Sequence, residues 1–215
     1  MNCWVLSTVR TGSSYYCELL NGTGLFKQKF KEKFPLYSSR QNMLEDMPSI
    51  TKVHYAQFRR FFSEDDLNLI SNRLPNIKYL FTKRNCLVCQ AVSFCVAKKY
   101  KTFYIYNKNK ADNWDKTKVV LTDQELLSAW GEIKLCQNKW NDYLKNVKHH
   151  TVAYEDLTSR PREVLKESLD YLGLRYEQSN IENSVVNCGI YKMTKPENAE
   201  YEERLKHLLK SKAFV

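Results

Sequence analysis

The start of the chain constrains it most. Residues 2–21 read NCWVLSTVRTGSSYYCELLN. Cys3-Trp4-Val5-Leu6 is apolar and β-prone, and Arg10-Thr11-Gly12-Ser13-Ser14 is a short polar turn with one glycine and three hydroxyls. From Tyr15, apolar residues return at helical spacing (Tyr16, Leu19, Leu20), and Asn21-Gly22 supplies a stop. The pattern predicts strand, tight loop and helix. A helix start exposes backbone N–H groups, and the helix dipole favours negative charge there. Arg10 adds a forked cation. The loop is therefore expected to bind phosphate or sulfate. It is neither the G-x-x-x-x-G-K-[ST] loop nor the G-x-G-x-x-G dinucleotide turn. The plain alternative is a serine-rich turn before an ordinary helix.

The rest of the chain alternates strand and helix signals. Ser63-Glu64-Asp65-Asp66 reads as a cap and acidic first turn of a helix running toward Leu74 and stopped by Pro75. Ile77 to Thr82 reads as a strand and Cys86 to Tyr100 as a helix. Thr122-Asp123-Gln124-Glu125 is a capping box opening a long helix toward Val147, and Thr151 to Tyr154 is a short strand. Pro161 and Gly173 frame another helix, and Asn198 caps a last one. Phe103 to Val120 has no clear period and reads as a loop or lid. This alternation predicts an α/β fold, a central parallel sheet flanked by helices. At 215 residues, one domain spanning 1–215 is expected.

Composition narrows the class. Hydrophobic residues make up 43% and charged residues 27%, which is the balance of a globular chain. No apolar run is long enough to span a membrane, and no signal-type stretch opens the chain, so a cytoplasmic protein is expected. The seven cysteines, an odd number, suit reduced thiols better than a disulfide framework. Cys86 and Cys89 form a C-x-x-C, but no second pair stands at zinc spacing, and both read as core positions. The net charge of +10 is compatible with a polyanion partner such as RNA. The lysines within 27–33 and 98–110 read as solvated surface.

A second anion-binding element follows the Ile77 strand. Arg84 at the strand end and Ser93 on the next helix suit a phosphate, gripped by a guanidinium fork and a hydroxyl. The two elements, in this order, resemble the cofactor loops of sulfotransferases that use 3′-phosphoadenosine-5′-phosphosulfate (PAPS). STVRTGSSYYCELL in particular resembles the opening of the bacterial trehalose 2-sulfotransferase-like family. KRNCLVCQAVSF is similar to that family's 3′-phosphate motif, an arginine before a helix containing QAVS. Arg84 and Ser93 are nine positions apart, one more than animal cytosolic sulfotransferases typically show, so Lys83, Arg84 and Asn85 all stay open as the phosphate ligand.

The resemblance implies the remaining roles. The family places a catalytic glutamate after the first helix, in the form G-x-P-x-E-aromatic-F. Glu32 and Phe34 fit this form, while Gln28, Phe30 and Lys33 depart from it. Lys52-Val53-His54-Tyr55-Ala56-Gln57 resembles the family's K-x-H-x-x-Q strand, with Lys52 and His54 on one strand face. His54 is an alternative base. Lys192 and Thr194 correspond to a C-terminal segment that folds over the cofactor. The implied function is sulfuryl transfer from PAPS to a hydroxyl of a carbohydrate or small metabolite, by in-line attack with Glu32 as general base. Arg10, Thr11, Gly12, Ser13 and Ser14 would hold the 5′-phosphosulfate, and Arg84 and Ser93 the 3′-phosphate. No metal is expected, since no D-x-D-type ligand set stands out. Two competing readings are a metal-dependent phosphoryl transferase and a non-enzymatic anion- or RNA-binding protein.

Overall fold

The computed structural model describes residues 2–26, 50–60, 62, 77–106, 109, 119–190 and 197–212. In chain order the elements are β1 (Asn2–Ser7), α1 (Ser13–Gly22), β2 (Ile50–His54), α2 (Tyr55–Phe58), β3 (Ile77–Lys83), α3 (Leu87–Tyr100), α4 (Asp123–Leu144), β4 (His149–Ala153), α5 (Tyr154–Ser159), α6 (Pro161–Leu172), α7 (Gln178–Asn187) and α8 (Asn198–Lys212). The residues gather into two compact units: 1–83 with 136–188, and 84–135 with 189–215.

The first unit holds a parallel sheet of order β2-β1-β3-β4. The sheet is apolar on both sides, as parallel sheets are. Alternation along β1 sends Cys3 and Val5 into one core, with Tyr16, Leu19 and Leu20 of α1, Leu157 of α5 and Leu165 and Leu169 of α6. Trp4 and Leu6 enter a second core with Val53, Phe58, Tyr79, Phe81 and Trp140. The register sets Ser7 opposite both His54 and Thr82, so the carboxyl ends of three strands come level. In open α/β sheets that edge is where ligands bind.

The second unit is built on α3, the first turns of α4, and α8. The capping box forms as expected. The Thr122 backbone N–H donates to Glu125 Oε2 at 2.8 Å, and Glu125 N–H to Thr122 Oγ1 at 3.2 Å. Tyr201 of α8 donates its hydroxyl to Val119 O at 2.8 Å and accepts from Leu121 N–H at 3.3 Å.

The expected α/β fold with a central parallel sheet is the one observed. Gly173 ends α6 at φ 72° as the Pro161–Gly173 frame requires. Differences are local. The last strand is His149–Ala153, and Tyr154 opens α5 rather than closing the strand. Helix α7 was not foreseen. The expected Ser63–Leu74 helix lies outside the described residues. Among the described residues, no helix is long and apolar enough to cross a membrane.

Candidate functional site

The loop after β1 is built around two left-handed residues, Arg10 at φ 63° and Gly12 at φ 75°. Alternating left- and right-handed backbone turns successive N–H groups toward one side, the geometry of an anion-binding concavity. Glycine is required at position 12 twice over. Its φ disfavours any side chain, and a Cβ there would lie 2.8 Å from Tyr154 Cδ2 and 3.2 Å from Leu157 Cδ2. Helix α1 starts directly after it, with no acidic residue in its first turn. Its positive end is thus left for an anion to complement.

Neighbouring strands deliver the rest of the donor set. Lys52 of β2, only 4% exposed, donates from Nζ to Ser14 Oγ at 2.8 Å, which places an ammonium at the first turn of α1. Ser14 accepts that bond and keeps its own hydroxyl hydrogen to donate. Thr11 is fully buried. Its hydroxyl donates to Thr8 O at 3.1 Å and pairs with Thr82 Oγ1 of β3 at 2.8 Å, so it holds the turn rather than reaching outward. Arg10, Gly12, Ser13, Ser14 and Lys52 therefore combine cations, backbone amides and hydroxyls, the chemistry that suits a phosphate or sulfate oxyanion.

His54 closes β2 beside this cluster. Its Nδ1 lies 2.8 Å from Ser7 Oγ, and its backbone N–H donates to Gln57 Oε1 at 3.2 Å. Burial, first, and then the Lys52 ammonium push its pKa down to about 3, against a hydrogen bond to the Ser7 backbone. The ring is accordingly neutral near pH 7 and retains a lone pair. Ser7 is itself fixed, since its carbonyl accepts from Trp140 Nε1 at 2.8 Å.

Sequence reasoning missed Ser7, Thr82, Trp140 and Tyr154 as supports of the loop. Only the strand register brings the first two level with His54 and Thr11. Glu32, Lys192 and Thr194 lie outside the described residues. A shallow cavity of about 180 Å³ in the same unit is lined by Phe81, Lys83, Asn141, Leu144, Lys145, His149 and Thr151. Of the candidate ligands among the described residues, Lys83 alone lines it.

Arg84, Asn85 and Ser93 belong to the second unit. Arg84 and Asn85 precede α3, and Ser93 sits within it, 8% exposed. Here the reading of Cys86 and Cys89 as reduced core thiols is corrected. They are joined in a disulfide and both are partly exposed. Cys86 caps the N-terminus of α3, and its Sγ accepts from Cys89 N–H at 3.2 Å. The physical reason is local. A cap residue and the third helical residue are brought close by the first turn, whatever the total cysteine count.

A family model described as "Sulfotransferase domain" matches residues 2–214, and the chain belongs to that family. Among solved structures, mouse sulfotransferase SULT7A1, complexed with PAP, is similar with a TM-score of 0.55 and 13% identity over 87% of this chain. The chain spans 63% of that enzyme's length. A sulfotransferase domain from the curacin biosynthetic pathway is similar with a TM-score of 0.50 and 13% identity, over 85% of this chain and 77% of that one. At such identities the likeness is one of fold. Comparison with curated proteins returns no match.

Proposed function

We propose that this member of the sulfotransferase family moves a sulfuryl group from PAPS to a hydroxyl of a carbohydrate or small metabolite, in the cytoplasm, with residues 1–215 acting as one catalytic domain. The observation that carries the reading is the donor set around α1: the Arg10–Ser14 loop with the buried Lys52 ammonium 2.8 Å from Ser14 Oγ. When bound, PAPS supplies an activated sulfuryl group on a phosphate leaving group. Arg10, the amides at the α1 start, Ser14 and Lys52 hold the 5′-phosphosulfate and stabilise charge building on the leaving oxygen. Arg84 and Ser93, with Lys192 and Thr194, hold the 3′-phosphate and adenosine side. The carbohydrate acceptor and the kinship with bacterial trehalose 2-sulfotransferase-like enzymes rest on the sequence resemblance.

Glu32 takes the acceptor proton as the hydroxyl attacks sulfur in line. A positioned base of this kind contributes on the order of 10²–10⁴ in rate. His54 is the second reading for the base. It is favoured by its neutral ring, its anchor on Ser7 and its place on the strand that also carries Lys52.

Thermal denaturation with PAP, AMP, ATP plus magnesium, and RNA tests the proposal. PAP should stabilise the chain most, because AMP lacks the 3′-phosphate that Arg84 and Ser93 engage. At 100 times its Kd a ligand adds about 2.7 kcal/mol. Equal shifts with PAP and AMP would remove the 3′-phosphate site. A larger shift with magnesium-ATP would favour phosphoryl transfer, and one with RNA would favour polyanion binding.

A further inference from the structure

The Cys86–Cys89 pair stands where chemistry and cofactor contact meet. Arg84 lies two residues before Cys86, and Ser93 lies four after Cys89 on the same helix. Both cysteines are partly exposed, so small thiols reach them. Two independent features give the sulfurs unequal character. Cys86 Sγ sits at the α3 cap and accepts the Cys89 N–H at 3.2 Å, which favours a thiolate there. Cys89 Sγ lies 3.4 Å from Glu202 Oε2 of α8, a carboxylate oxygen within reach of the proton that this sulfur carries when the bond is open.

We propose that Cys86 and Cys89 form a reversible dithiol–disulfide site that exchanges with low-molecular-weight disulfides and thiols, and that its oxidised form raises affinity for the 3′-phosphorylated nucleotide. The coupling rests on the reading of Arg84 and Ser93 given above. In oxidation, the Cys86 thiolate attacks one sulfur of a small disulfide RSSR and expels RS⁻, leaving a mixed disulfide. Cys89 gives its proton to Glu202, and its thiolate attacks Cys86 Sγ and expels the second RS⁻. Two electrons pass from the dithiol to RSSR, which becomes two thiols once the released thiolates are protonated. The new bond ties the α3 cap to the third residue of the helix. It thereby fixes the chain leading from Arg84 into α3 before the nucleotide arrives, and the ordering of that turn no longer opposes binding.

The experiment equilibrates the full chain in glutathione buffers of graded GSH and GSSG content, with and without PAP. Differential alkylation and mass spectrometry then read Cys86 and Cys89, and calorimetry measures the PAP Kd of the fully reduced and fully oxidised chain. The expected result is a reversible two-electron titration of this pair, a PAP Kd about fivefold lower in the oxidised form, and a higher oxidised fraction when PAP is present, since linkage is reciprocal. Cys86→Ser with Cys89→Ser should bind PAP with one Kd in either buffer. Arg84→Ala should weaken PAP in both redox states of the pair and leave the titration in place. A pair that does not interconvert while the fold stays intact by circular dichroism overturns the redox site. Equal PAP affinity in the two states, with Arg84→Ala still weakening it, overturns the coupling while the nucleotide reading stands. If PAP binds neither state, the nucleotide reading fails and takes the coupling with it.

Discussion

Gly12→Ala tests whether the loop geometry is as demanding as its backbone implies. Two costs add. A side chain in the left-handed region loses roughly 1–2 kcal/mol. The new Cβ also meets Tyr154 Cδ2 at 2.8 Å and Leu157 Cδ2 at 3.2 Å, and Leu157 is fully buried. Relieving such overlap in a packed core costs about 1–3 kcal/mol more. The sum is about 2–5 kcal/mol, or a Tm lowered by roughly 4–20 °C for a chain of this size. Gly173→Ala supplies the control. It has φ 72° but no atom within 4 Å of the added Cβ, so it carries the backbone cost alone. Thermal and urea denaturation of both variants should rank Gly12→Ala below Gly173→Ala by the overlap cost, and Gly12→Ala should also weaken PAP. Equal losses in the two variants would show that Tyr154 and Leu157 do not crowd the turn.

Other perturbations address the charged groups. The folded pKa of His54 is about 3 against about 6.5 unfolded, so between those values the unfolded chain binds more protons. Stability should therefore rise with pH across that window, by up to about 1.4 kcal/mol per unit, and flatten above it. His54→Asn should reduce that slope in urea titrations from pH 4.5 to 7, leaving the smaller part that His150, also lowered by burial, contributes, and an unchanged slope would show that the His54 ring is not held neutral. Lys52→Met keeps the apolar stem and removes the ammonium. PAP affinity should fall about 10- to 100-fold, the worth of a charged hydrogen bond, while Lys206→Met, at an exposed ion pair with Glu203, should leave it unchanged. Glu32→Gln should keep PAP affinity and lose roughly 10²-fold or more in turnover with labelled PAPS and a panel of hydroxyl acceptors. Turnover like that of the unaltered chain would pass the role of base to His54.

Much of the frame was legible because its signals are local. Cys3 to Leu6 is an apolar run that a two-sided parallel sheet needs, Thr122 and Glu125 form their capping box, and Gly173 sits where a helix must end in the left-handed region. Helix α7 was not legible. Its sequence QSNIENSVVN is short and mostly polar, and its docking rests on Ile181, with Val185 packed beside it, and a hydrogen bond from Ser184 to Leu19 O of α1. A Cβ on Gly22 would lie 2.8 Å from Ser184 Oγ, a close approach that reads in sequence only as a helix stop. The site divides the same way. Arg10 to Ser14, Lys52 and His54 carried recognisable patterns. Ser7 and Thr82 did not, because their parts follow from strand register, which sets Ser7 opposite His54 and Thr82, far away in the chain. The cysteine pair was misread for another reason: an odd total argues about a whole disulfide framework and says nothing of two cysteines one helical turn apart.

Lys52 and His54 of the first unit form one electrostatic system. Lys52 lowers the pKa of His54, so the residue that serves an anion also keeps the neighbouring ring neutral. Burial is the larger cause, which orders the outcomes. Without the Lys52 charge, in Lys52→Met, the His54 pKa should rise yet stay below its ordinary value. An anion bound against Lys52 acts in the same direction by offsetting the ammonium. It makes His54 a better proton acceptor when the site is filled than when it is empty. The left-handed backbone at Arg10 and the buried ammonium both weigh against stability in the unliganded chain, and costs of this kind persist where the surrounding structure enforces them and a ligand draws on them. Here the enforcing contacts are identifiable: Thr11 tied to Thr8 and Thr82, Tyr154 packed where a Cβ of residue 12 would go, and Ser7 held by Trp140. None of these supports touches the proposed anion site through a charge. Mutating Thr11, Thr82 or Tyr154 should loosen the loop and lower affinity without altering the pH dependence that Lys52 and His54 set between them, whereas Ser7, bonded to His54, acts on both.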